Sequence, residues 1–206
     1  MTNVVPFNPL DKRNLGASIG EALIEQAAVP LASLPRFDGA GIYAIYYHGT
    51  FEAYQALADC NKDGIFNVPI YVGKAIPQGS RRGGTLESPI GPDLRKRLQQ
   101  HAKSIERSSN LEIEDFHCRF LVVDDVFISL GESLTIARFG PLWNSIIDGF
   151  GNNAPGVGRG QGMRPRWDTL HPGRAWAETL PPRPESAADI AVEAREYLRN
   201  SLQRLP

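Results

Sequence analysis

Three short stretches of this chain have the composition of β-strands, and their small number limits the folds that it can adopt. Residues 41–48 (GIYAIYYH) are β-branched and aromatic, and residues 68–72 (VPIYV) have the same character. Residues 116–123 alternate large apolar side chains with His117 and Arg119, which is the period of a strand with one buried face. The chain is therefore expected to form one small sheet.

Two capping boxes mark predicted helix starts. Ser18 and Glu21 have the Ser-x-x-Glu spacing in which each side chain bonds the other residue's backbone, and Pro30 would stop the helix that they open. Ser129 and Glu132 repeat the pattern, and a Gly-Pro pair ends the helix that follows. In this interpretation the carboxylate of Glu132 has a structural role.

Two longer amphipathic patterns predict helices over residues 93–107 and 185–202, and a short helix is predicted over residues 51–59. Pro92 stands where the first residue of the 93–107 helix is expected. Helical and strand patterns thus alternate along the chain. The predicted fold class is α/β, with a small central three-stranded, mainly antiparallel sheet flanked by helices.

The composition excludes several classes of protein. The chain is 42% hydrophobic and 22% charged, which is ordinary for a globular protein. It has no apolar run near the ~20 residues of a membrane span, and its N-terminus lacks the pattern of a signal peptide, so a cytoplasmic protein is expected. Cys60 and Cys118 are predicted to be free thiols, and His48 and His117 lack the spacing of zinc ligands.

The net charge of −1 conceals a strong asymmetry along the chain. Residues 81–110 carry seven basic and three acidic side chains, residues 111–155 carry two basic and seven acidic ones, and residues 156–176 carry four arginines and one aspartate. This alternation fits a solvated surface, and it also fits a groove for an acidic partner. Composition alone favours nucleic acid only slightly over other acidic partners.

Residues whose side chains could take part in catalysis occur in a definite order along the chain. Residues 41–43 (GIY) lie in the first predicted strand, and residues 71–74 (YVGK) end the second. Two residues spaced four apart then share one face of the 93–107 helix, and a glutamate and an asparagine follow. These later members are Arg97, His101, Glu132 and Asn144.

This order resembles that of the GIY-YIG nuclease superfamily, and the resemblance covers residues 38–145. The Arg-x-x-x-His pair, the long insertion at residues 48–68 and the sequence HPGRAWA at residues 171–177 look like the type II restriction endonuclease branch. More narrowly, they look like the subfamily that recognises CCGCGG. The second triplet reads YVG, which replaces one β-branched residue by another.

The resemblance implies a single domain over residues 1–206 with a GIY-YIG catalytic core at residues 38–145. The N-terminal helix segment, residues 1–37, and a Gly/Arg-rich C-terminal arm within residues 146–206 would add recognition and dimerisation surface. The implied partner is double-stranded DNA, bound by a homodimer because readers of palindromes are commonly two-fold symmetric. Neither an organic cofactor nor a membrane is expected.

The same residues suit phosphodiester hydrolysis on chemical grounds. Tyr43 could serve as the base for water if Lys74, Arg97 or a metal favours its phenolate, because a free phenol has a pKa near 10. His101 could take the proton onward or orient the water itself, and the sequence leaves the ultimate acceptor open. Tyr71 would hydrogen-bond a phosphate oxygen, to which Arg97 also offers its planar fork.

A metal ion and its ligand complete this prediction. Glu132 supplies the hard oxygen that Mg²⁺ prefers, with Mn²⁺ as a substitute and water filling the remaining positions. Asn144 is expected to lock a helix end and the nearby loop.

Arginines are expected to recognise the DNA. Their planar forks pair with guanine O6 and N7, so a G·C-rich site would favour them, while others would contact only phosphate. The sequence does not show which arginines contact bases and which contact only phosphate. The candidates are Arg81, Arg82, Arg159, Arg164, Arg166 and Arg174.

Other interpretations stay open at this stage. The chain could be a catalytically idle GIY-YIG DNA-binding module, a repair or homing-type nuclease of looser specificity, or a phosphate-handling enzyme that acts on nucleotides. Filled catalytic positions speak against the idle module, and the lack of an appended DNA-binding domain speaks against a homing enzyme. Taken singly, Tyr43 could be a core residue, and Arg97 and His101 could be surface residues.

Overall fold

A four-stranded antiparallel sheet lies at the centre of the computed structural model, which describes residue 8 and residues 10–77, 91–153 and 162–203. Its spatial order is β1-β4-β2-β3, and all three pairings are antiparallel. The α/β class is confirmed, but the prediction of three strands is wrong. The strands are β1 (Val29–Pro30), β2 (Gly41–Tyr47), β3 (Tyr71–Ala75) and β4 (Phe116–Val122).

The unpredicted strand, β1, is a two-residue edge strand that pairs with β4. The sequence pattern predicts Pro30 only as a helix stop, and within a central strand a proline would leave a ladder hydrogen bond unmade. At a sheet edge the missing N–H costs nothing, since that side of the strand has no partner to satisfy.

The helices surround this sheet, and those predicted over residues 93–107 and 185–202 are confirmed to within two residues. Among the described residues, three single 3₁₀ turns occur, at Leu31–Ser33, Glu52–Tyr54 and Ile113–Asp115. The described helices are α1 (Lys12–Ile24), α2 (Gln55–Cys60), α3 (Asp93–Glu106), α4 (Asp125–Phe139), α5 (Leu142–Ser145), α6 (Arg166–Leu170), α7 (Ala175–Glu178) and α8 (Ala187–Leu202).

Both capping-box predictions are wrong, because an aspartate further upstream caps each helix. The Asp11 side chain accepts a hydrogen bond from the backbone of Arg13, and α1 starts at once. Asp124 does the same for α4. Ser18 and Glu132 consequently lie inside their helices, and the carboxylate of Glu132 is free of any capping role.

Strand β2 is buried along its whole length, because helices cover both faces of the sheet. The odd-numbered residues from Tyr43 to Tyr47 face the cluster formed with α3 and α8, and the even-numbered residues from Ile42 to Tyr46 face α1 and α4. A central strand of this kind needs a nearly continuous apolar sequence rather than an alternating one. This requirement explains the run GIYAIYY.

The insertion at residues 48–68 leaves the pairing of β2 with β3 intact because Asn61 closes it at its base. The Asn61 amide donates to the carbonyl oxygens of Tyr47 and Val68, both at 2.9 Å, and its oxygen accepts from the Val68 N–H at 3.0 Å. Val68 is thus bound by a side chain rather than by a strand. For this reason β3 begins at Tyr71 and not at residue 68 as predicted.

No described helix has the length and hydropathy of a membrane span. Both cysteines are free thiols, as predicted, with Cys118 buried in the core and Cys60 partly exposed.

A buried polar network joins the insertion to the C-terminal segment. The Tyr54 hydroxyl lies 2.7 Å from Nε2 of His171, and Nδ1 of the same ring lies 2.8 Å from Oδ1 of Asn110. Because the amide oxygen only accepts, Nδ1 carries the proton and Nε2 accepts from Tyr54. The imidazole is therefore neutral, and burial lowers the pKa of His171 to about 3.

Acid is expected to destabilise the fold through His171. The unfolded chain takes up this proton below about pH 6.5 whereas the folded chain does not, so the stability is complete above that pH and is lost as the pH falls toward 3. Between pH 7.5 and pH 5 the free energy of unfolding should fall by about 2 kcal/mol through this residue. Urea unfolding at both values measures the change. The His171→Gln protein should lose this component, and an equal pH dependence in both proteins would contradict the assignment.

Candidate active site

Strands β2 and β3 are direct neighbours, and their register places the GIY and YVG triplets side by side. Tyr43 lies opposite Gly73. A Cβ atom added at Gly73 would lie 2.4 Å from the Tyr43 hydroxyl oxygen and 2.6 Å from its ring carbon Cζ. The Tyr43 ring thus occupies the space beside the glycine, so the second triplet can end only in glycine while the tyrosine stays in place.

Helix α3 brings His101 against Tyr43. The Tyr43 hydroxyl oxygen and Nε2 of His101 are 2.5 Å apart, and both side chains are at most 1% exposed. The interpretation of His101 as a surface residue is therefore wrong. The sequence spacing predicted that His101 and Arg97 share a helix face, and the structure adds that this face is turned toward β2 and β3.

The environment sets the protonation of this pair. Burial, and then the neighbouring charges of Arg97 and Arg174, hold the pKa of His101 well below its ordinary value. Burial also raises the pKa of Tyr43 well above 10, and only Arg97 opposes this effect. In the free protein the proton therefore stays on Tyr43, and the phenol donates to a neutral imidazole.

Tyr71 and Arg97 lie at the open side of the same cluster. The Tyr71 ring meets the His101 ring edge to face with centroids 5.3 Å apart. Arg97 donates from Nη2 to the carbonyl oxygen of Gly151 at 2.8 Å, and from Nη1 to Gln100 at 3.2 Å. Since Arg97 is partly exposed, its guanidinium is accessible to an anion that approaches from solvent.

Lys74 and Glu132 form an ion pair next to this cluster. Lys74, on β3, projects toward α4, where its Nζ lies 2.7 Å from Oε2 of Glu132 and 3.2 Å from the hydroxyl oxygen of Ser129. Burial is the main cause of the raised pKa of Tyr43 and of Tyr71, and the charge of Glu132 acts in the same direction on both. The two groups of residues thus flank the same edge strand.

A single carboxylate fits some metal ions and not others. Within the described part of the chain, no group of three or more His, Cys, Asp or Glu residues is arranged to hold a metal. Mg²⁺ needs no such cage, because it keeps several waters and binds through one or two carboxylates together with substrate phosphates. Glu132 therefore fits a magnesium-type ion that is held jointly by protein and substrate.

Asn144 has a different role from the predicted one. It lies in α5, and its amide group makes two hydrogen bonds of 2.8 Å with the backbone N–H and carbonyl of Val72. These bonds imitate a further strand along the edge of β3, a side on which no described strand pairs with it. Asn144 thereby fixes the backbone between Tyr71 and Gly73 rather than a helix end.

Phe150 is a site residue that the sequence analysis missed. Its ring stacks on His101 with centroids 4.5 Å apart and an interplanar angle of 19°, and it meets Tyr71 edge to face at 5.1 Å. A Cβ added at the next residue, Gly151, would lie 2.7 Å from the Tyr71 hydroxyl oxygen. The only sequence signal was an aromatic residue between two glycines shortly after Asn144.

The described candidate arginines make contacts within the chain. Arg164 donates to the carbonyl oxygens of Ala177 and Glu178, and Arg166 pairs with Glu193. Arg174 is 1% exposed and pairs with a buried aspartate, so we give it a structural role rather than a DNA contact. Three candidates, Arg81, Arg82 and Arg159, lie outside the described residues, and their role stays a prediction.

The paired GIY and YVG strands, the Tyr–His–Arg cluster and the adjacent glutamate together define a nuclease domain of the GIY-YIG class. Residues 35–198 match the family model described as the Eco29kI GIY-YIG domain. Because this match spans most of the chain, the protein belongs to that restriction endonuclease family and is a restriction-type nuclease. Nucleases of this class generally use a divalent metal, and membership implies DNA binding. A comparison with curated proteins gives no match.

Proposed function

We propose that the protein is a type II restriction endonuclease that hydrolyses double-stranded DNA at a specific palindromic, G·C-rich site. It acts as a homodimer with one Mg²⁺ in each active site. The observation that carries this proposal is the 2.5 Å contact between the Tyr43 hydroxyl and His101, placed beside Arg97 and Glu132. A phenol and a neutral imidazole in this contact form a path for a proton that leaves an attacking water.

The proton moves in two linked transfers. As water attacks phosphorus, its proton passes to the Tyr43 oxygen while the proton of Tyr43 passes to Nε2 of His101, which becomes an imidazolium. The low pKa of His101 in the free protein arises partly from the charge of Arg97. A DNA phosphate bound to Arg97 offsets that charge, so substrate binding makes His101 a better acceptor.

Arg97 and Tyr71 bind the reacting phosphate. Arg97 presents a planar fork, and the charge that it places next to the phosphate stabilises the transition state more than the ground state. Tyr71 is partly buried and adjoins His101, so its hydroxyl is directed by the same packing. In this arrangement the two residues orient the phosphorus for in-line attack.

Glu132 would hold the magnesium ion, and Mn²⁺ would substitute for it. When bound, the ion stabilises the charge that develops on the leaving oxygen. In the free protein Lys74 neutralises Glu132 at 2.7 Å. Lys74 therefore keeps the carboxylate oriented until the metal and the DNA arrive.

Base recognition and dimerisation belong to the segments around this core. We assign base reading to Arg81, Arg82 and Arg159, with Arg164 and Arg166 as further phosphate or base contacts. The tail sequence at residues 171–177 supports CCGCGG as the first site to test. A homodimer would match the two-fold symmetry of that palindrome.

Plasmid digestion tests the proposal. DNA that contains CCGCGG is incubated with the protein, with Mg²⁺ present or omitted, and the ends of the products are sequenced. Discrete fragments that share one palindromic end sequence, and that form only with the metal, support it. A continuous smear indicates a nuclease of looser specificity. Retention of intact DNA with Mg²⁺ and with Mn²⁺ indicates an idle binding module, and either result would overturn the proposal.

A further inference from the structure

We propose that Arg174 and Asp168 form a clamp that positions residues 149–152 over the active site. This inference rests on the proposed function, since the segment that the clamp holds contacts Arg97 and His101. Arg174 lies within the sequence HPGRAWA, and neither residue of the clamp touches the reacting atoms. Both are therefore positioning residues.

Arg174 uses all five N–H groups of its guanidinium. Nε and Nη2 donate to the two carboxylate oxygens of Asp168 at 2.6 and 2.5 Å. The remaining three donate to backbone carbonyl oxygens, those of Phe150 at 3.1 Å, Asn152 at 3.2 Å and Gly149 at 2.9 Å. A guanidinium has five donors, so this one is fully satisfied, and three of its five bonds end on one short segment.

The surroundings keep the guanidinium in one orientation. Arg174 lies against the faces of Trp167 and Trp176, with its Cζ 4.6 and 4.9 Å from the ring centroids. It is 1% exposed, and Asp168 is 2% exposed. Removing such a pair from water offsets much of its attraction, so a buried ion pair is weak evidence for stabilisation of the fold. A role in selecting one conformation of residues 149–152 accounts for its presence better.

The clamped segment supplies two contacts to the active site. Three of its four carbonyl groups point to Arg174, whereas the carbonyl of Gly151 points the other way and accepts from Arg97. The Phe150 side chain stacks on His101. Gly149 has a φ of 101°, in the region that glycine adopts readily, which turns the chain into this arrangement.

The clamp therefore sets the geometry of two catalytic groups at once. If residues 149–152 shift, Phe150 no longer supports the His101 ring against Tyr43, and Arg97 loses the acceptor that orients its fork. Lysine cannot replace Arg174, because an ammonium has three donors without a planar arrangement. Arg174 itself has no surface through which to touch DNA, so the affinity for DNA depends far less on the clamp than the cleavage rate does.

Cleavage kinetics of the Arg174→Lys protein test this role. We expect the single-turnover rate at saturating DNA to fall at least ~10-fold, because a small misplacement of catalytic groups is costly, while the Kd for DNA stays within about threefold. The control is Leu198→Ala, which creates a cavity in α8, lowers stability and leaves the clamp intact. Assayed below its melting temperature, it should cleave at the wild-type rate.

A double-mutant cycle tests whether the clamp acts through Phe150. Phe150→Ala should lower the rate at saturating DNA as well, and adding it to Arg174→Lys should cost little more, because both act through the same contact with His101. Fully additive losses would show that Arg174 does not act through residues 149–152 and would overturn the proposal.

Amide hydrogen exchange without DNA gives a measurement that does not depend on activity. In Arg174→Lys the amides of residues 149–153 should exchange at least ~10-fold faster while those of β2 are unchanged. If exchange rises uniformly, as in Leu198→Ala, or the cleavage rate falls less than threefold, Arg174 is merely structural. Should Arg174→Lys fail to fold, the isosteric Asp168→Asn is judged by the same criteria. If the wild type cuts no DNA, the proposed function fails, and the exchange experiment still decides the clamp.

Discussion

Tyr43→Phe is expected to cleave duplex DNA at least ~100-fold more slowly than the wild type at saturating DNA, with little change in binding. The substitution removes only the hydroxyl, and the ring stays packed between Gly73 and His101. The lost oxygen is the proposed link between the attacking water and Nε2 of His101. Single-turnover cleavage and a DNA titration with metal omitted measure the two quantities.

Tyr47→Phe is the matched control for this change. Tyr47 lies on the same strand and the same face as Tyr43, is equally buried, and also uses its hydroxyl, which accepts from the Phe51 N–H at 2.7 Å. The control should lose some stability through this unsatisfied donor but keep the wild-type cleavage rate. A Tyr43→Phe protein that cleaves within threefold of wild type would refute the proton path.

Glu132→Gln is expected to have a comparably large effect, a loss of at least ~100-fold in the cleavage rate with Mg²⁺. Glutamine keeps the size of the side chain and can still accept from Lys74, but it lacks the charge that a hard divalent ion requires. The pair with Lys74 is partly exposed and contributes about 1 kcal/mol or less. The Tm should therefore fall by no more than about 3 °C.

Glu52→Gln provides the comparison for Glu132→Gln. Glu52 also forms an ion pair, at 2.5 Å with Arg195, but this pair lies on the surface and away from β3. Its loss should change neither cleavage nor the affinity for Mn²⁺ measured by calorimetry with DNA present. If Glu132→Gln remains active while its stability falls markedly, the carboxylate serves only Lys74, and another group must hold the metal.

Local patterns were sufficient to predict the longer elements of the fold. The aromatic and β-branched run at β2 and the apolar stripe of α3 are strong local signals, and both elements form where these signals lie. Helix starts were harder to predict, since Asp124 and Ser129 both have capping chemistry. Aspartate at the upstream position prevails because the helix then gains an additional turn and the buried contacts of Ile128.

Most members of the candidate active site were predictable from the sequence, but their geometry was not. The order of Tyr43, Arg97 and His101 indicated their chemistry, whereas the 2.5 Å contact joins residues 58 positions apart and depends on how α3 packs on the sheet. Arg174 was the clearest failure. An arginine in a Gly-rich segment resembles a DNA contact, and only the tertiary arrangement of Asp168, Trp167 and three carbonyl groups makes burial of its charge tolerable.

Because Asn61 closes the insertion at its base, the length of the insertion can change without moving the residues of the candidate active site. The four hydrogen bonds of this residue join the two ends of the insertion, and the turn beyond them projects outward, with Ile65 56% exposed and open space around Gly64. Lengthening a loop closed in this way costs only about 0.6 kcal/mol for each doubling. Residues 62–65 are therefore a natural point at which to splice in a fluorescent reporter or a second recognition module, with the register of Tyr43 and Gly73 preserved.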